Sequence, residues 1–475
     1  MEPINPLEDE TPETDGETVA LHSEGRRGER VLRDTRDREE LPDADEVLDG
    51  VVIDRGGHSI SRRSIPENVL KVLYRLHRSG YRAYLCGGSV RDLLMGRTPK
   101  DFDVVTDAHP GDVRRLFRNS RIIGRRFRLV HIIFQDQVVE VATFRREPDR
   151  AQQAPDDETP EDFLITDDNT FGSPLQDAKR RDFTINALFY NIADFSVIDY
   201  IGGLDDLSEG RVRVIGDPDL RFREDPVRMM RAIEFASRLG FEIEAATYEG
   251  ILRHRNEILK ASPHRVSEEI LELLRRGWSR GAIRLMVDTG LLEPLLPEVY
   301  NSIRGERAPY FWKMLEVLDR TVQAGRKISD AVLLSVLMLP WVIYEIEREE
   351  ERRVEQRTDN SKMRIGEVIV FIRDLIQPLC ARMALAAGTR HQIEQALETL
   401  WRLLEPPTDR RAQFRAVYRE PFSDALALLE LYALSSGRYV DVFRQWQAFA
   451  VRVKRAQEEG EGATVARKRR RRKRR

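Results

Sequence analysis

Hydrophobic and polar positions follow helical and strand-like periods from about residue 58 onwards. Val69, Leu73 and Leu76 recur at helical spacing, and Gly80 ends that helix. The preceding Ser64-Ile65-Pro66-Glu67 has the form of a capping box with Ser64 as the cap. Short strand-like runs follow, with one helix (113–117) among them: 83–86, 101–106, 129–134 and 138–144. This pattern predicts a small α/β unit with helices packed against one sheet.

The second half of the chain shows helical spacing throughout. The predicted helices include 282–287, 314–322, 330–339, 367–376 and 426–434, and Thr389 is predicted to begin another with a capping box. The expected fold class is α+β, with a mixed α/β head (58–205) followed by an all-helical neck (206–280) and body (281–455). The polar stretch 145–178 is predicted to be a mobile loop over a site in the head.

Charge is distributed unevenly along the chain. Residues 1–50 carry a net charge of −11 and residues 451–475 a net charge of +9, although the whole chain is close to neutral at −3. Residues 1–57 contain no aromatic side chain and cannot bury enough apolar surface to offset their chain entropy, so we expect them to be disordered. The basic tail, 456–475, is also expected to be disordered. A basic end of this kind is typical of a protein that binds nucleic acid there.

Cysteine content and hydropathy exclude several classes of protein. The two cysteines, Cys86 and Cys380, form no disulfide framework and no Cys-x-x-Cys metal motif. The longest uncharged apolar run, 331–344, is too short to span a bilayer, and the amino terminus has no basic-then-apolar signal segment. We therefore expect a cytoplasmic protein.

A glycine pair and three carboxylates mark the first candidate site. Gly87-Gly88-Ser89-Val90-Arg91-Asp92 follows a predicted strand and opens a predicted helix, an arrangement that lets backbone N–H groups approach a phosphate. Asp101 and Asp103 lie on one face of the next strand, where their mutual repulsion favours a bound divalent cation. Glu140 stands in an otherwise apolar strand, where a carboxylate is rarely buried without a partner, and its simplest explanation is a strand-edge or cross-strand ion-pair residue.

Two further polar motifs follow the loop. Arg180-Arg181-Asp182-Phe183-Thr184-Ile185-Asn186 would place Asp182 and Asn186 on one face if it were helical. Arg223-Glu224-Asp225-Pro226-Val227-Arg228 reads as a helix start, with Asp225 as the N-cap and Pro226 in the first turn. Arg228 and Arg231 continue the face that Asp225 begins.

Taken together, the motifs Gly-Gly-x-Val-Arg-Asp, Lys100-Asp101-Phe102-Asp103 and the two above resemble the signature of class II template-independent nucleotidyltransferases. This family comprises bacterial poly(A) polymerases and tRNA CCA-adding enzymes, and the resemblance covers about residues 58–280 strongly. It implies two-metal nucleotidyl transfer, with Mg²⁺ held by Asp101 and Asp103, Glu140 assisting, and Asp182 as a further candidate catalytic residue. It implies that Asp225 and Arg228 select the base. The residues that it places around the nucleotide are Gly87, Gly88, Ser89, Arg91, Arg181, Asn186, Asp225, Arg228 and Arg231.

The chain ends in nine consecutive cations, which favour contact with a nucleic-acid backbone. The predicted RNA-binding residues are Arg467, Lys468, Arg469, Arg470, Arg471, Arg472 and Lys473. In this family, such a tail is typical of poly(A) polymerases, so we expect ATP and RNA 3′ ends as substrates and components of RNA decay as partners. A solubility tail is the alternative explanation. The alternatives for the whole protein are a CCA-adding enzyme and an inactive RNA-binding protein, and the three intact carboxylates count against the latter.

Overall fold

A mixed β-sheet with flanking helices forms the first part of the molecule and helices form the rest, as the sequence predicts. The computed structural model describes residues 50–124, 128–135, 137–146, 170–304, 308–356 and 362–472. Within these ranges, no helix is both long and apolar enough to cross a membrane.

The head is built on an eight-stranded sheet in the order β1-β8-β7-β2-β3-β6-β5-β4. Neighbouring strands are antiparallel except for β3 and β6, which run parallel with Asp103 opposite Glu140. Its strands are β1 (Val51–Ile53), β2 (Ala83–Cys86), β3 (Asp103–Thr106), β4 (Ser120–Ile123), β5 (Leu129–Ile133), β6 (Val138–Thr143), β7 (Leu188–Asn191) and β8 (Val197–Asp199). A separate parallel pair, β9 (Arg211–Val212) and β10 (Glu242–Ile243), follows in the neck.

The two faces of the head sheet pack into different clusters. Val104 of β3 joins a core with Val69 and Leu73 from the first helix, which covers one face. Its neighbour Val105 joins a second cluster on the other face with Cys86 and others. Because successive side chains of a strand point to opposite faces, Asp103 shares the face of Val105 and lies away from the first helix.

Nineteen helices are found in the described part of the chain. They are α1 (Glu67–Arg78), α2 (Gly88–Leu94), α3 (Pro110–Leu116), α4 (Pro174–Lys179), α5 (Gly203–Ser208), α6 (Pro218–Glu224), α7 (Val227–Leu239), α8 (Ala245–His254), α9 (Pro263–Arg275), α10 (Ser279–Asp288), α11 (Leu292–Leu295), α12 (Pro297–Ser302), α13 (Ala308–Gln323), α14 (Asp330–Glu355), α15 (Ile365–Arg382), α16 (Ala387–Leu404), α17 (Arg410–Val417), α18 (Phe422–Ser436) and α19 (Val440–Arg472). One hydrophobic cluster extends from Phe183 through the neck helices to Val453, so the helical part shares a continuous core.

Several predicted details are wrong. Order begins before residue 58, because β1 pairs with β8. Neither predicted capping box forms: α1 follows Pro66 and α16 follows Ala386, and neither residue caps its helix with a side chain. In both cases the helix begins two or more residues away from the expected cap. A capping-box sequence caps a helix only if the helix actually begins at that residue.

Two predicted segments lie partly outside the described residues. Of the predicted loop 145–178, residues 147–169 are outside, and 174–179 form α4. A capping box that the sequence analysis missed starts α4. The Ser173 hydroxyl accepts a hydrogen bond from the Gln176 backbone N–H, and Gln176 Oε1 accepts one from the Ser173 backbone N–H. At the other end, α19 continues to Arg472 and includes much of the tail, whose side chains from residue 457 onwards are outside the described set, as is all of Lys473.

Candidate active site

Three carboxylates converge where β3 and β6 run side by side. Asp103 is the first residue of β3 and lies directly opposite Glu140. The strand therefore begins two residues later than predicted, and Asp101 lies before it. All three residues are exposed to solvent. Surrounding protein nevertheless partly desolvates Asp103, and this, together with Glu140 and Asp101, raises the pKa of its carboxyl group. The cluster therefore concentrates negative charge at one point of the sheet.

The carboxylate cluster suits a hard cation that also binds substrate. No described residue donates a hydrogen bond to the carboxylate of Asp101 or Asp103, so their oxygens are available. Glu140 Oε1 lies 3.2 Å from His131 Nε2 on β5, which is the cross-strand pair considered as an alternative. Among the described residues, no three His, Cys, Asp or Glu side chains are arranged to hold a metal by themselves. Two carboxylates completed by phosphate oxygens are nevertheless a donor set that Mg²⁺ accepts.

A glycine turn adjoins the carboxylates at the end of β2. Gly87 has φ of 69°, in the left-handed region, and a Cβ there would lie 3.3 Å from a terminal nitrogen of Arg181. Cys86, immediately before it, pairs with Asp103 across the two strands. The turn and the carboxylates are thus parts of one surface. Gly88, as predicted from the motif, begins α2.

Ser89 and Arg91 point into the protein. The Ser89 hydroxyl donates to the Cys86 carbonyl at 2.9 Å, and both residues are 2% exposed. Arg91 donates to Asp92 Oδ1 at 2.8 Å and also to Asn186 Oδ1. These two members of the predicted nucleotide set therefore hold the turn and the segment beside it in place.

Arg181 faces the turn and is positioned by a residue that the sequence analysis missed. Asp177 is fully buried and accepts hydrogen bonds from both Arg180 and Arg181, at 2.9 Å from each NH2 group. Although burial opposes ionisation, Arg181 and Arg180 lower the pKa of the Asp177 carboxyl group. Its spacing of three and four residues from the two arginines, typical of helical ion pairs, was the available signal.

Asp182 and Asn186 are brought together without an α-helix, because the segment between them ends in a 3-10 turn (Thr184–Asn186). Asn186 Nδ2 donates to Asp182 Oδ1 at 3.1 Å, and the Arg231 guanidinium donates to Asp182 Oδ2 at 2.8 Å. Burial disfavours the charged form, but Arg231 and Asn186 lower the pKa of Asp182 overall. With Arg91, this chain of contacts connects α2 of the head to α7 of the neck.

Asp225 and Arg228 have different side-chain partners. Asp225 accepts two hydrogen bonds of 2.9 Å from Arg265 of α9, and α7 begins after Pro226 without a side-chain cap, so the helix-cap reading of Asp225 is wrong. Arg228 is largely buried and donates to Glu224 Oε2 at 3.3 Å and to the Arg221 carbonyl. The Asp225 carboxylate could therefore exchange its hydrogen bonds with Arg265 for bonds to another group, whereas Arg228 belongs to a buried ion pair with Glu224.

Phe235 and Glu269 are two more residues that the motifs did not indicate. The Phe235 ring lies between 5.3 and 5.4 Å from the guanidinium carbons of Arg91, Arg231 and Arg238, so it supports cations from both head and neck. Burial and the Glu234 carboxylate raise the pKa of Glu269, although the nearby Arg231 guanidinium partly offsets this rise. These contacts are visible only in the folded structure, because they bring together residues from separate parts of the sequence.

Comparison with known proteins identifies the head and part of the neck. Residues 83–213 match the family described as "Poly A polymerase head domain", and residues 240–302 match "Probable RNA and SrmB- binding site of polymerase A". The chain is 44% identical over 291 residues to "Poly(A) polymerase I" of Escherichia coli O6:H1, which covers 60% of this chain and 63% of that relative. Residues 83–213 and 240–302 are therefore similar to two domains of poly(A) polymerases.

CCA-adding enzymes are less similar to this chain in sequence. A "CCA-adding enzyme" of Bacillus velezensis is 38% identical over 227 residues, covering 48% of this chain and 54% of the relative. The crystal structure of the Bacillus stearothermophilus CCA-adding enzyme in complex with CTP has a TM-score of 0.60 at 24% identity, covering 82% of this chain and 83% of that one. This last likeness shows a shared fold. The chain spans just under two thirds of the poly(A) polymerase relative's length.

Proposed function

We propose that this protein is a template-independent polynucleotide adenylyltransferase, which adds AMP from ATP to RNA 3′ ends. One observation carries the proposal: Asp101, Asp103 and Glu140 meet beside the Gly87 turn, within a stretch that is 44% identical to a poly(A) polymerase. In the reaction, the RNA 3′-oxygen bonds to the α-phosphorus of ATP, the bond to the β-phosphate oxygen breaks, and pyrophosphate leaves.

The carboxylate cluster has a defined task in that reaction. Asp101 and Asp103 would hold Mg²⁺, with Glu140 beside them, and bound Mg²⁺ supplies activation of the 3′-hydroxyl and stabilisation of the leaving pyrophosphate. The protein itself contributes position and charge, which provide most of the rate in phosphoryl transfer. Partial burial of Asp103 strengthens its attraction for a cation.

The other polar groups bind and orient the nucleotide. Arg181, held by Asp177, offers its guanidinium to the triphosphate at the Gly87 turn. The Asp182–Asn186 pair, fixed by Arg91 and Arg231, would bind the ribose and triphosphate. Asp225 would exchange its hydrogen bonds with Arg265 for the edge of the adenine base, and buried Arg228 would define the floor of that pocket.

The basic tail is proposed to hold RNA. Removing residues 467–475 should weaken RNA binding and lower the slope of log affinity against log salt by up to about 6 if all nine cations engage single-stranded phosphates. An unchanged slope would leave the tail as a solubility device. A cytoplasmic location and partners in RNA decay stay predictions from the sequence.

The second candidate, CCA addition, is supported by the 38% identity over 227 residues to the CCA-adding enzyme of Bacillus velezensis. The two functions differ in nucleotide use, and the discriminating test is extension of a labelled single-stranded RNA with each of the four nucleoside triphosphates separately. The proposal expects ATP to be incorporated at least about tenfold better than the others, since one hydrogen-bonded pair is worth about 1–3 kcal/mol. Preference for CTP, or no incorporation from any of the four, would overturn it.

A further inference from the structure

A basic groove runs along α1 on the face of the head that lies away from Asp103. Two hollows, of about 740 and 640 Å³, meet at Leu70 and Tyr74 on the outer side of this helix. One is bounded by Phe195, in the turn between β7 and β8, and the other by Phe134, in the turn after β5. Since α1 has 12 residues, the groove is about 18 Å long or longer.

The positive charge of this α1 groove is almost uncompensated. Its cationic lining residues are Arg55, Arg62, Arg63, Lys71, Arg75 and Arg78. The one carboxylate in the lining, Glu67, pairs with Lys71 at 2.8 Å. In the described part of the chain, none of the five arginines forms an ion pair. The groove therefore attracts anions along its whole length.

Aromatic rings lie among the arginines of the α1 groove: those of Tyr74, Phe134 and Phe195 are partly exposed, whereas that of Phe117 is buried. Arg62 and Arg55 lie over the Phe195 ring at 4.6 and 5.5 Å, while Arg75 lies 5.0 Å from the ring of Phe117 and Arg78 lies 5.8 Å from that of Tyr74. These contacts keep the exposed guanidinium groups next to rings and limit their conformational freedom.

Phe195 occupies its position at a conformational cost. Its φ of 65° is unusual for a residue other than glycine, and its carbonyl is held 2.8 Å from His58 Nε2. The strain is consistent with a ring placed for binding, because backbone strain concentrates at functional sites.

We propose that the α1 groove binds single-stranded RNA upstream of the 3′ end that the cleft extends. Arginine forks fit phosphates, and bases stack on aromatic rings and on guanidinium planes. The combination of rings with cations favours a chain of stacked bases over an acidic peptide, which needs the charges alone. The proposal takes RNA as the ligand from the proposed function, but the binding itself does not require catalysis.

Length dependence follows from the placement of the α1 groove. The groove and the carboxylates are on opposite faces of the sheet, so an RNA that occupies both must pass around an edge of the head. A short oligonucleotide bound at the cleft leaves the groove empty, whereas a longer RNA can occupy the cleft and the groove together. The groove should therefore contribute to the binding of long RNA and not to that of short RNA.

The test measures binding by the full chain without ATP. In the variant Arg62→Glu with Arg75→Glu, the affinity for a fluorescent oligoadenylate of about 24 nucleotides should fall at least about tenfold, and the salt slope should fall by about 1.4, or 0.7 for each lost phosphate contact. Affinity for a six-nucleotide oligoadenylate, and its extension, should not change. Arg62→Gln with Arg75→Gln should show a smaller loss in the same direction.

The matched control is Lys327→Glu with Arg438→Glu, which makes the same charge change at two exposed helical-region residues that have no ion pair in the described structure. This control should retain its affinity for the long RNA. Equal losses in both double variants, or unchanged affinity in the groove variant, would overturn the proposal. The outcomes that decide the proposal are binding affinities measured without ATP, so they are independent of whether ATP is the substrate.

Discussion

Asp103 illustrates how function opposes stability at a single residue. Its carboxylate is partly desolvated and is repelled by Glu140 and Asp101. Such an arrangement stabilises nothing in the free protein and is useful only when a cation binds.

The variant Asp103→Asn should lose more than about 99% of its nucleotide incorporation, because it removes a cation ligand worth several kcal/mol in the transition state. Without divalent cations its melting temperature should be at least that of the unsubstituted protein, since one repelling charge is gone. Incorporation and thermal melting are measured on the same preparation. A folded variant with near-normal incorporation would remove Asp103 from the site, and Asp101→Asn should behave similarly.

Asp177 is the opposite kind of carboxylate, since it is buried and stabilises the fold through two arginines. Asp177→Asn should lower the free energy of unfolding by roughly 3–5 kcal/mol at pH 7, because the arginines lose a buried charge partner. Asp219→Asn, at an exposed pair with Arg253, should cost less than about 1 kcal/mol and serves as the control.

The cost of Asp177→Asn should also depend on pH. The pKa of Asp177 is lower in the folded protein than in the unfolded chain, so its stabilising effect is fully present above the ordinary aspartate pKa of about 4. That effect is lost as pH falls through the folded value. The stabilities of the two proteins should therefore converge in acid, as measured by denaturant unfolding, and a difference independent of pH would contradict the ion-pair account.

At the scale of elements, the junction of α6, α7 and α9 gives different surroundings to Asp225 and Arg228, which are three residues apart in the sequence. Arg228 is buried against Glu224, whereas Asp225 points outward to Arg265. Truncating Arg228 would disturb a buried pair, so Asp225 is the better probe of base recognition.

Asp225→Ala should lower the free energy of unfolding by about 1 kcal/mol, because its partner Arg265 is 43% exposed and can be solvated when the carboxylate is removed. The preference of kcat/KM for ATP over CTP should fall by about tenfold or more, as expected for one lost hydrogen-bonding group of 1–3 kcal/mol. Arg265→Ala is the control, since it leaves the Asp225 carboxylate in place and should retain the preference. Equal losses in both variants would mean that the pair acts only by holding the neck.

Local periodicity predicted most elements of the head, including β2, α2 and the carboxylate strand. It failed where a helix start depends on tertiary context, as at Ser64 and Thr389, and where polar residues meet across elements. The Asp225–Arg265 pair joins residues 40 positions apart, and no local pattern indicates it. Motif spacing indicated Asp101 and Asp103, but Asp101 lies before β3, so strand alternation does not fix its orientation. Glu140 needed the β3–β6 register to place it opposite Asp103.

At the scale of the molecule, polar contacts tie the head to the neck. Arg91 of α2, Asn186, Asp182 and Arg231 of α7 form one continuous chain of hydrogen bonds. This linkage connects the proposed catalytic surface to the helix that follows the proposed base-reading residue Asp225. A template-independent enzyme needs such a connection, because its own side chains replace the template in choosing the nucleotide.

The most direct test of the account compares two substrates with one preparation of the full protein and Mg²⁺. One reaction contains a generic single-stranded RNA and ATP, and the other a tRNA lacking its 3′ CCA end with CTP and ATP. The account predicts a long ladder of added adenylates on the generic RNA, because polyadenylation has no fixed end point. Addition of three nucleotides to the tRNA, with no extension of the generic RNA, would contradict it.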